Sequence, residues 1–366
     1  MISALIYCAH PAQYHFIKGT LKNLIQDGHK VKVLIKTKDI LENLLIEDGM
    51  EYTNIQPKLR KNNKLSILLA SLQRTVSVVK EAIKFKADIL IGTDSSIAQA
   101  AWILKKPAIT TLEDDYDVIK NLAKLTFPFT TDILVPQECP VGEKHTRKKI
   151  PYSGYMKLAY LRPNVFTPDK SVLEKYNISE KFILIRLAKL AAHHDSGIKG
   201  LNIALVHSVI SFAKNKGYTT YLTSENRIDS SLEQYQLKIH YSDIHHILAF
   251  ASLLISDSQS MSMEAAMLGI PSIRFSDFAG RISVLETLEK DYDLTFGIRT
   301  SEPENLQRKV HELLDYPNLH AEFQSRRQIM LADKIDVTAF FTWFIENYPE
   351  SRKIMKENPE YQYKFK

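Results

Sequence analysis

The sequence predicts an α/β fold of two doubly wound domains facing an interdomain cleft. Three observations carry that expectation. Short apolar runs that suit strands covered on both faces alternate with longer segments of helical period. The alternation occurs twice, on either side of a proline-containing break at Arg162-Pro163-Asn164 to Thr167-Pro168-Asp169. A chain of 366 residues is also too long for one ordinary domain and comfortable for two.

The elements follow in order. Ala4–Cys8 is a continuous apolar run; Phe16, Leu21, Leu24 and Ile25 recur with helical spacing until Gly28; Val31–Ile35 is a second run. Strand, helix, strand with a helix long enough to cross over predicts a parallel βαβ unit. The rhythm resumes with a strand at Ala87–Gly92, a helix at Ile97–Leu104, and strands at Ala108–Thr111 and Asp132–Pro136, the last after the breaker Phe127-Pro128. Residues 1–160 are therefore assigned to an N-terminal domain. Residues 161–332 repeat the pattern: strands at Phe182–Arg186, Thr219–Thr223, Leu253–Ser256 and Ser272–Phe275, with helices at Leu201–Lys216, His245–Ala251 and Ser258–Leu268. A helical stretch at Asp333–Asn347 opens the tail, 333–366, which is expected to pack back on the first domain.

Composition narrows the function. Hydrophobic residues make up 45% and charged residues 25%, so a disordered or fibrous chain is excluded. The net charge of +6 is spread among 42 acids, which argues against a nucleic-acid partner. Two basic clusters, Lys58–Lys64 and Lys144–Lys149, are open to anionic lipid headgroups or a phosphorylated ligand. Cys8 and Cys139 provide neither a disulfide framework nor a zinc motif, no carboxylate and histidine set has metal-ligand spacing, and no metal or cofactor is expected. The first residues lack a basic secretory start and no apolar run approaches 18 residues, so a cytoplasmic location is expected, at the inner face of the membrane if the basic clusters touch lipid.

Ligands of such folds gather where strands end and helices begin. The first such loop reads Ala9-His10-Pro11-Ala12-Gln13 rather than Gly-x-Gly-x-x-Gly, and the phosphate loop of kinases is absent, which excludes the usual dehydrogenase and P-loop chemistries. The most informative segment runs from Leu254 to Arg274. Ser256, Ser258, Gln259 and Ser260 join a buried strand to a helix, where backbone N–H groups and short hydroxyls suit a diphosphate. Glu264 lies i+4 from Ser260, about 6 Å further along one helix face and within reach of a ribose hydroxyl. The same residues would also serve a plain helix cap with Glu264 in solvent. Arg186, His194 and Lys199 follow or end the first strand of the second domain and suit phosphate; His245 and His246 would begin a helix that lines the same pocket, with a structural role the alternative for one of them; Arg274 would meet a pyrophosphate or an internal carboxylate. In the first domain His10, Asp94, Glu113 and Asp114 stand at strand ends as candidate general bases, with a helix cap as the alternative for Asp94 and a solvated loop for 113–115.

The Leu254–Arg274 segment resembles the nucleotide-binding signature of GT-B proteins, in particular the Ser/Asp-Ser-Gly-Gly-x-x-x-Glu-Glu-Ala stretch of non-hydrolysing UDP-N-acetylglucosamine 2-epimerases and their glycosyltransferase relatives. Gln259 and Ser260 stand at the two glycine positions. Asp94 and Glu113 match the Asp of a Gly-Asp-Thr loop and the Glu of a Glu-Ala-Gly loop in the epimerases, whereas Asp117-Val118-Ile119-Lys120-Asn121 replaces their Pro-Glu-Glu-x-Asn-Arg segment. The sequence is also similar to a prokaryotic GT-B-type family known only as a domain of unknown function, through His10-Pro11 with His15-Phe16, Arg186 to Gly200, His245-His246-Ile247-Leu248-Ala249-Phe250-Ala251 and Gly269-Ile270-Pro271-Ser272-Ile273-Arg274. The resemblance implies a GT-B architecture of two Rossmann-like domains that binds a nucleoside-diphosphate sugar, a UDP-sugar first, through Ser256, Ser258, Gln259, Ser260, Glu264, Arg186, His194, Lys199, His246 and Arg274. It implies metal-independent transfer to a cell-envelope glycan or lipid-linked acceptor in polysaccharide biosynthesis, with His10, Asp94, Glu113 or Asp114 as base. An epimerase and a non-catalytic sugar-nucleotide-binding protein remain the alternatives.

Overall fold

A computed structural model describes residues 1–57, 64–187, 200–224 and 227–366, with the side chains of 64–68 outside the description. The chain forms two compact units, Met1–Tyr160 with Lys334–Lys366 and Leu161–Asp333.

The first unit begins β1 (Ser3–Cys8), α1 (Pro11–Gln26), β2 (Lys30–Lys36), α2 (Leu41–Glu47), β3 (Tyr52–Gln56), α3 (Lys64–Phe85), β4 (Ile89–Gly92), α4 (Ser95–Leu104), β5 (Ala108–Thr111), α5 (Lys120–Thr126), β6 (Asp132–Pro136), β7 (Lys149–Tyr152) and α6 (Leu158–Leu161). Its seven strands lie in the order β3-β2-β1-β4-β5-β6-β7, every neighbouring pair parallel. The buried runs of β1, β4, β5 and β6 form the middle of the sheet and lose their apolar side chains from water on both faces. Strand order reverses between β1 and β4, where Tyr7 pairs with Gly92. A Cβ on Gly92 would stand 2.7 Å from the Tyr7 carbonyl oxygen, so only glycine permits this approach.

The second unit continues with α7 (Ser171–Lys175), β8 (Phe182–Leu187), α8 (Ile203–Asn215), β9 (Thr219–Ser224), α9 (Ile244–Leu248), β10 (Leu253–Ser256), α10 (Gln259–Leu268), β11 (Ser272–Phe275), α11 (Ser283–Lys290), β12 (Thr295–Ile298), α12 (Pro303–Leu314) and α13 (Leu319–Asp333). Its parallel sheet is ordered β12-β11-β10-β8-β9, reversing between β8 and β10, where Arg186 pairs with Ser256. Helix α10 is buried from Met261 to Leu268 and stops at Gly269, whose φ of 70° is the left-handed conformation of a helix C-cap. A Cβ there would also press to 2.7 Å from the Gln324 amide nitrogen.

The chain then returns to the first unit as α14 (Val337–Glu346) and α15 (Glu350–Glu357). The sequence suggested one helical stretch at Asp333–Asn347, but α13 ends at Asp333 and α14 starts at Val337. Between them Ile335 N–H donates to the Ser153 carbonyl at 2.9 Å, and Asp336 caps α14 by accepting from Ala339 N–H at 3.0 Å. Phe341 then meets Phe16 and Tyr152 edge-on, with ring centroids 4.9 and 5.2 Å apart. Fully buried Asp132 anchors the far end, accepting from the Tyr348 hydroxyl at 2.9 Å and from Arg352 Nε at 2.7 Å.

Candidate functional site

In both units the reversal of strand order leaves a crevice beyond the strand ends, the usual ligand position in open α/β sheets. In the second unit that position belongs to the β10–α10 turn. Ser256 is wholly buried: its Oγ donates to the Arg186 carbonyl at 3.1 Å and accepts from Ser258 N–H at 2.8 Å. Ser258 is the N-cap of α10, accepting from Met261 N–H at 3.4 Å, and Ser262 Oγ donates back to the Ser258 carbonyl at 3.1 Å. Two serines thus fold the turn, while the N–H groups of the first helical residues, Gln259 and Ser260, have no acceptor within the helix. The backbone of Gly200 approaches so closely that a Cβ there would be 2.6 Å from Asp257 Oδ2.

Glu264 lies one turn beyond Ser260, nearly buried, with Oε2 3.4 Å from His245 Nε2. The imidazole of α9 therefore orients the carboxylate that the sequence placed near a ribose, a pairing that no local spacing reveals because 19 positions separate the partners. His246 turns elsewhere: its Nδ1 accepts from Asp169 N–H at 3.0 Å and its ring lies 4.8 Å from that of Phe166. The fixed acceptor role of Nδ1 places the neutral imidazole proton on Nε2.

Arg274 pairs in register with Ser256, yet its side chain is fully buried. Its Nη2 contacts Glu289 Oε2 at 2.7 Å and Glu286 Oε1 at 3.8 Å, and its Nη1 donates to Gln259 Oε1 at 3.5 Å. Of the two roles open to Arg274 in the sequence, this geometry is that of a residue neutralised by internal carboxylates. It reaches the candidate site through Gln259. His194 and Lys199 lie outside the described residues, as does most of the segment joining Arg186 to Gly200.

In the first unit His10 stands two residues beyond β1 and caps α1, its Nδ1 accepting from Ala12 N–H at 3.2 Å, while Nε2 stands 4.0 Å from Asp39 Oδ2 with both side chains half exposed. Across the reversal, Asp94 caps α4 by accepting from Ser96 N–H at 2.9 Å, and its other oxygen lies 3.8 Å from Arg74 Nη2. Thr93 Oγ1 donates to the Thr111 carbonyl at 2.6 Å and so ties this loop to the end of β5. There Glu113 is buried, accepting from Met156 N–H at 2.6 Å and pairing with Lys157 Nζ at 3.1 Å. Burial pushes its carboxyl up, and Lys157 opposes the rise. Asp114 is solvent-exposed, and its crowded surroundings also raise its carboxyl, again against Lys157. Cys139 donates its thiol to the Glu113 carbonyl at 3.3 Å, and burial raises that thiol far above reactive range. The four candidate bases thus differ in availability: Asp94 and Glu113 are held by fixed partners, whereas Asp114 faces solvent.

Arg74, Lys157 and Asp39 complete these arrangements in the first unit and escaped the sequence-level selection of site residues, whereas His245 was read there with His246 but without its partner Glu264. Arg74 and Lys157 lie on segments with no motif of their own, and only the fold brings them to the carboxylates. Among the described residues no group of three or more His, Cys, Asp or Glu side chains has metal-holding geometry.

No protein-family model and no curated protein matches the sequence. Solved structures do. Staphylococcus aureus MnaA, in a co-structure with UDP, aligns over 96% of this chain and 98% of its own with a TM-score of 0.67 at 12% identity. The UDP-GlcNAc 2-epimerase of Methanocaldococcus jannaschii aligns over 90% and 99%, with a TM-score of 0.64 at 13% identity. The spinosyn forosaminyltransferase SpnP aligns over 97% and 99%, with a TM-score of 0.60 at 14% identity. At these identities the likeness carries the fold: the chain has the two-unit α/β architecture of GT-B type shared by UDP-GlcNAc 2-epimerases and glycosyltransferases.

Proposed function

We propose that this protein is a glycosyltransferase that moves a sugar from a nucleoside-diphosphate sugar, a UDP-sugar first, to a glycan or lipid-linked acceptor of the cell envelope. The observation that supports it is the β10–α10 turn: small hydroxyl residues open a buried helix at the reversal of strand order, and one turn on Glu264 is oriented by His245. The first-turn N–H groups and the side chain of Ser260 receive the diphosphate, Glu264 the ribose, and Arg186 the charge that grows on the leaving nucleotide. Asp114 takes the proton from the acceptor hydroxyl as its oxygen bonds to the anomeric carbon and the bond from that carbon to the diphosphate oxygen breaks. Epimerisation has weaker support, because Asp94 and Glu113 are both engaged with fixed cationic and N–H partners.

Calorimetric titration tests the donor site. UDP binds the wild type, and Glu264→Gln weakens it about tenfold or more, the value of one hydrogen bond to a charged group. Absence of binding by any nucleoside diphosphate at millimolar concentration rejects the reading. Solvent deuterium appearing at C2 of UDP-N-acetylglucosamine would move epimerisation ahead of transfer.

A further inference from the structure

We infer that the face of the first unit formed by α3, α4 and α5 docks on an anionic lipid surface. The three helices lie side by side: Thr75 Oγ1 donates to Gln99 Oε1 at 3.1 Å, and Gln99 Nε2 donates to the Leu125 carbonyl at 3.1 Å. Helix α3 buries Ala70, Arg74, Thr75, Val78 and Ala82 towards the sheet. Its opposite side should then be polar, as on an ordinary surface helix. Instead Leu69, Leu72, Val76 and Ile83, at helical spacing along one stripe, are 51%, 53%, 53% and 61% exposed. The stripe continues onto the neighbouring helices with Trp102 at 63%, Ile103 at 53% and Leu125 at 55%. Single exposed apolar residues need no explanation, but seven on three adjoining helices form a surface that water disfavours.

Charge identifies the occupant. Lys80 and Lys84 stand on the exposed side of α3, Lys105 and Lys106 directly follow α4, and Lys124 is exposed on α5. The three helices carry one acid between them, Glu81, which is paired with Lys32, although the whole chain has 42 acids. An apolar stripe flanked by lysines and lacking acids is the pattern of an interfacial helix, with the aliphatic side chains at the acyl boundary, Trp102 at headgroup depth and the lysines against anionic phosphates. A second copy docked through the same face would bring lysines against lysines, which disfavours that occupant. No helix among the described residues is long and apolar enough to cross a membrane. This contact lies on the face of the sheet rather than at the strand ends, and it stands independently of the reaction proposed above.

The experiment is flotation of the full-length chain with vesicles of phosphatidylglycerol and phosphatidylcholine, against vesicles of phosphatidylcholine alone. The wild type partitions onto the anionic vesicles, with a blue shift of tryptophan emission that Trp102→Phe removes. Lys80→Gln with Lys84→Gln lowers partitioning roughly 25-fold, about fivefold for each lysine near an anionic surface. Leu72→Gln with Val76→Gln also releases the protein, while the melting transition and UDP binding stay at wild-type values. Equal partitioning onto both vesicle types, failure to bind the anionic ones, or indifference to the paired variants overturns the inference. So does a dimer in sedimentation equilibrium that Leu72→Gln with Val76→Gln dissociates, since that assigns the face to a second copy.

Discussion

Replacing Glu289 by alanine strands a charge that the second unit has removed from water. Arg274 has no exposed side-chain surface, and its closest carboxylate oxygen is Glu289 Oε2 at 2.7 Å; Glu286 remains only at 3.8 Å. The same Glu289 oxygen accepts from Gly297 N–H at 2.9 Å, so two donors lose their acceptor together. Removing one partner of a buried ion pair costs about 3–5 kcal/mol, because the remaining charge keeps its desolvation penalty. For a unit of this size, at about 2–4 °C per kcal/mol, the transition falls by roughly 6–20 °C. Because two units can unfold separately, the assay is calorimetry combined with hydrogen exchange read on peptides from β11 and α11. The informative control is Arg274→Met with Glu289→Leu, which removes both charges of the close pair and leaves the Gly297 N–H without its acceptor, together with the loss of the longer Arg274 contacts to Gln259 and Glu286. That double variant should recover at least about 2 kcal/mol of the loss. A single variant that loses less than about 1 kcal/mol, or a double variant no more stable than the single, would refute the reasoning.

Three further outcomes follow from the first unit. Burial would raise the Asp48 carboxyl, but Lys18, Lys22 and the Tyr14 hydroxyl outweigh it and hold it below the usual range. Its contribution is therefore present above the unfolded carboxylate value of about 3.9 and lost as pH falls through the lower folded value. Asp48→Asn should flatten that part of an acid-unfolding curve, and an unchanged slope would count against it. Lys157 opposes the rise of the Asp114 carboxyl caused by its crowded surroundings, so Lys157→Met should move the acid limb of the transfer rate to higher pH. A limb that stays in place removes Asp114 as the base. Asp132→Ala withdraws the shared acceptor of Tyr348 and Arg352, costing about 2–3 kcal/mol and speeding hydrogen exchange in α15 before the sheet; uniform exchange would show that the aromatic contacts of α14 hold the tail alone.

The sequence by itself determined the elements whose signal is local. Buried strands such as Ala108–Thr111, Leu253–Ser256 and Ser272–Phe275 show as short segments set off by breakers such as Pro107, Gly269 and Pro271, and their observed bounds coincide with the expected ones. Helix ends were legible where a short side chain caps them, as Ser258 does for α10 and Asp94 for α4, because a cap is a contact between residues two or three apart. The same locality explains what escaped. Strand β3 is half-buried along its length and gives no continuous apolar run, so the edge of the first sheet was not read. The break between α13 and α14 arises because Ile335 bonds a residue 182 positions earlier, which no window of helical period contains.

Only the tertiary structure decided which candidate groups meet. The chemistry of Glu264, Glu113 and Arg274 was visible as residue type and strand-end position, but their partners His245, Lys157 and Glu289 were set by packing. Those partners separate a carboxylate held by its neighbours from one open to solvent. Exposure is decided in the same way. The apolar period of α3 predicts a helix but not which residues face water, and it is the placement of α3 beside α4 that turns Leu69, Leu72, Val76 and Ile83 outwards. A sequence fixes local conformation through neighbours along the chain. Burial, ion pairing and the shift of a carboxyl depend on atoms brought near by the fold, and so they were settled only when the strands took their order.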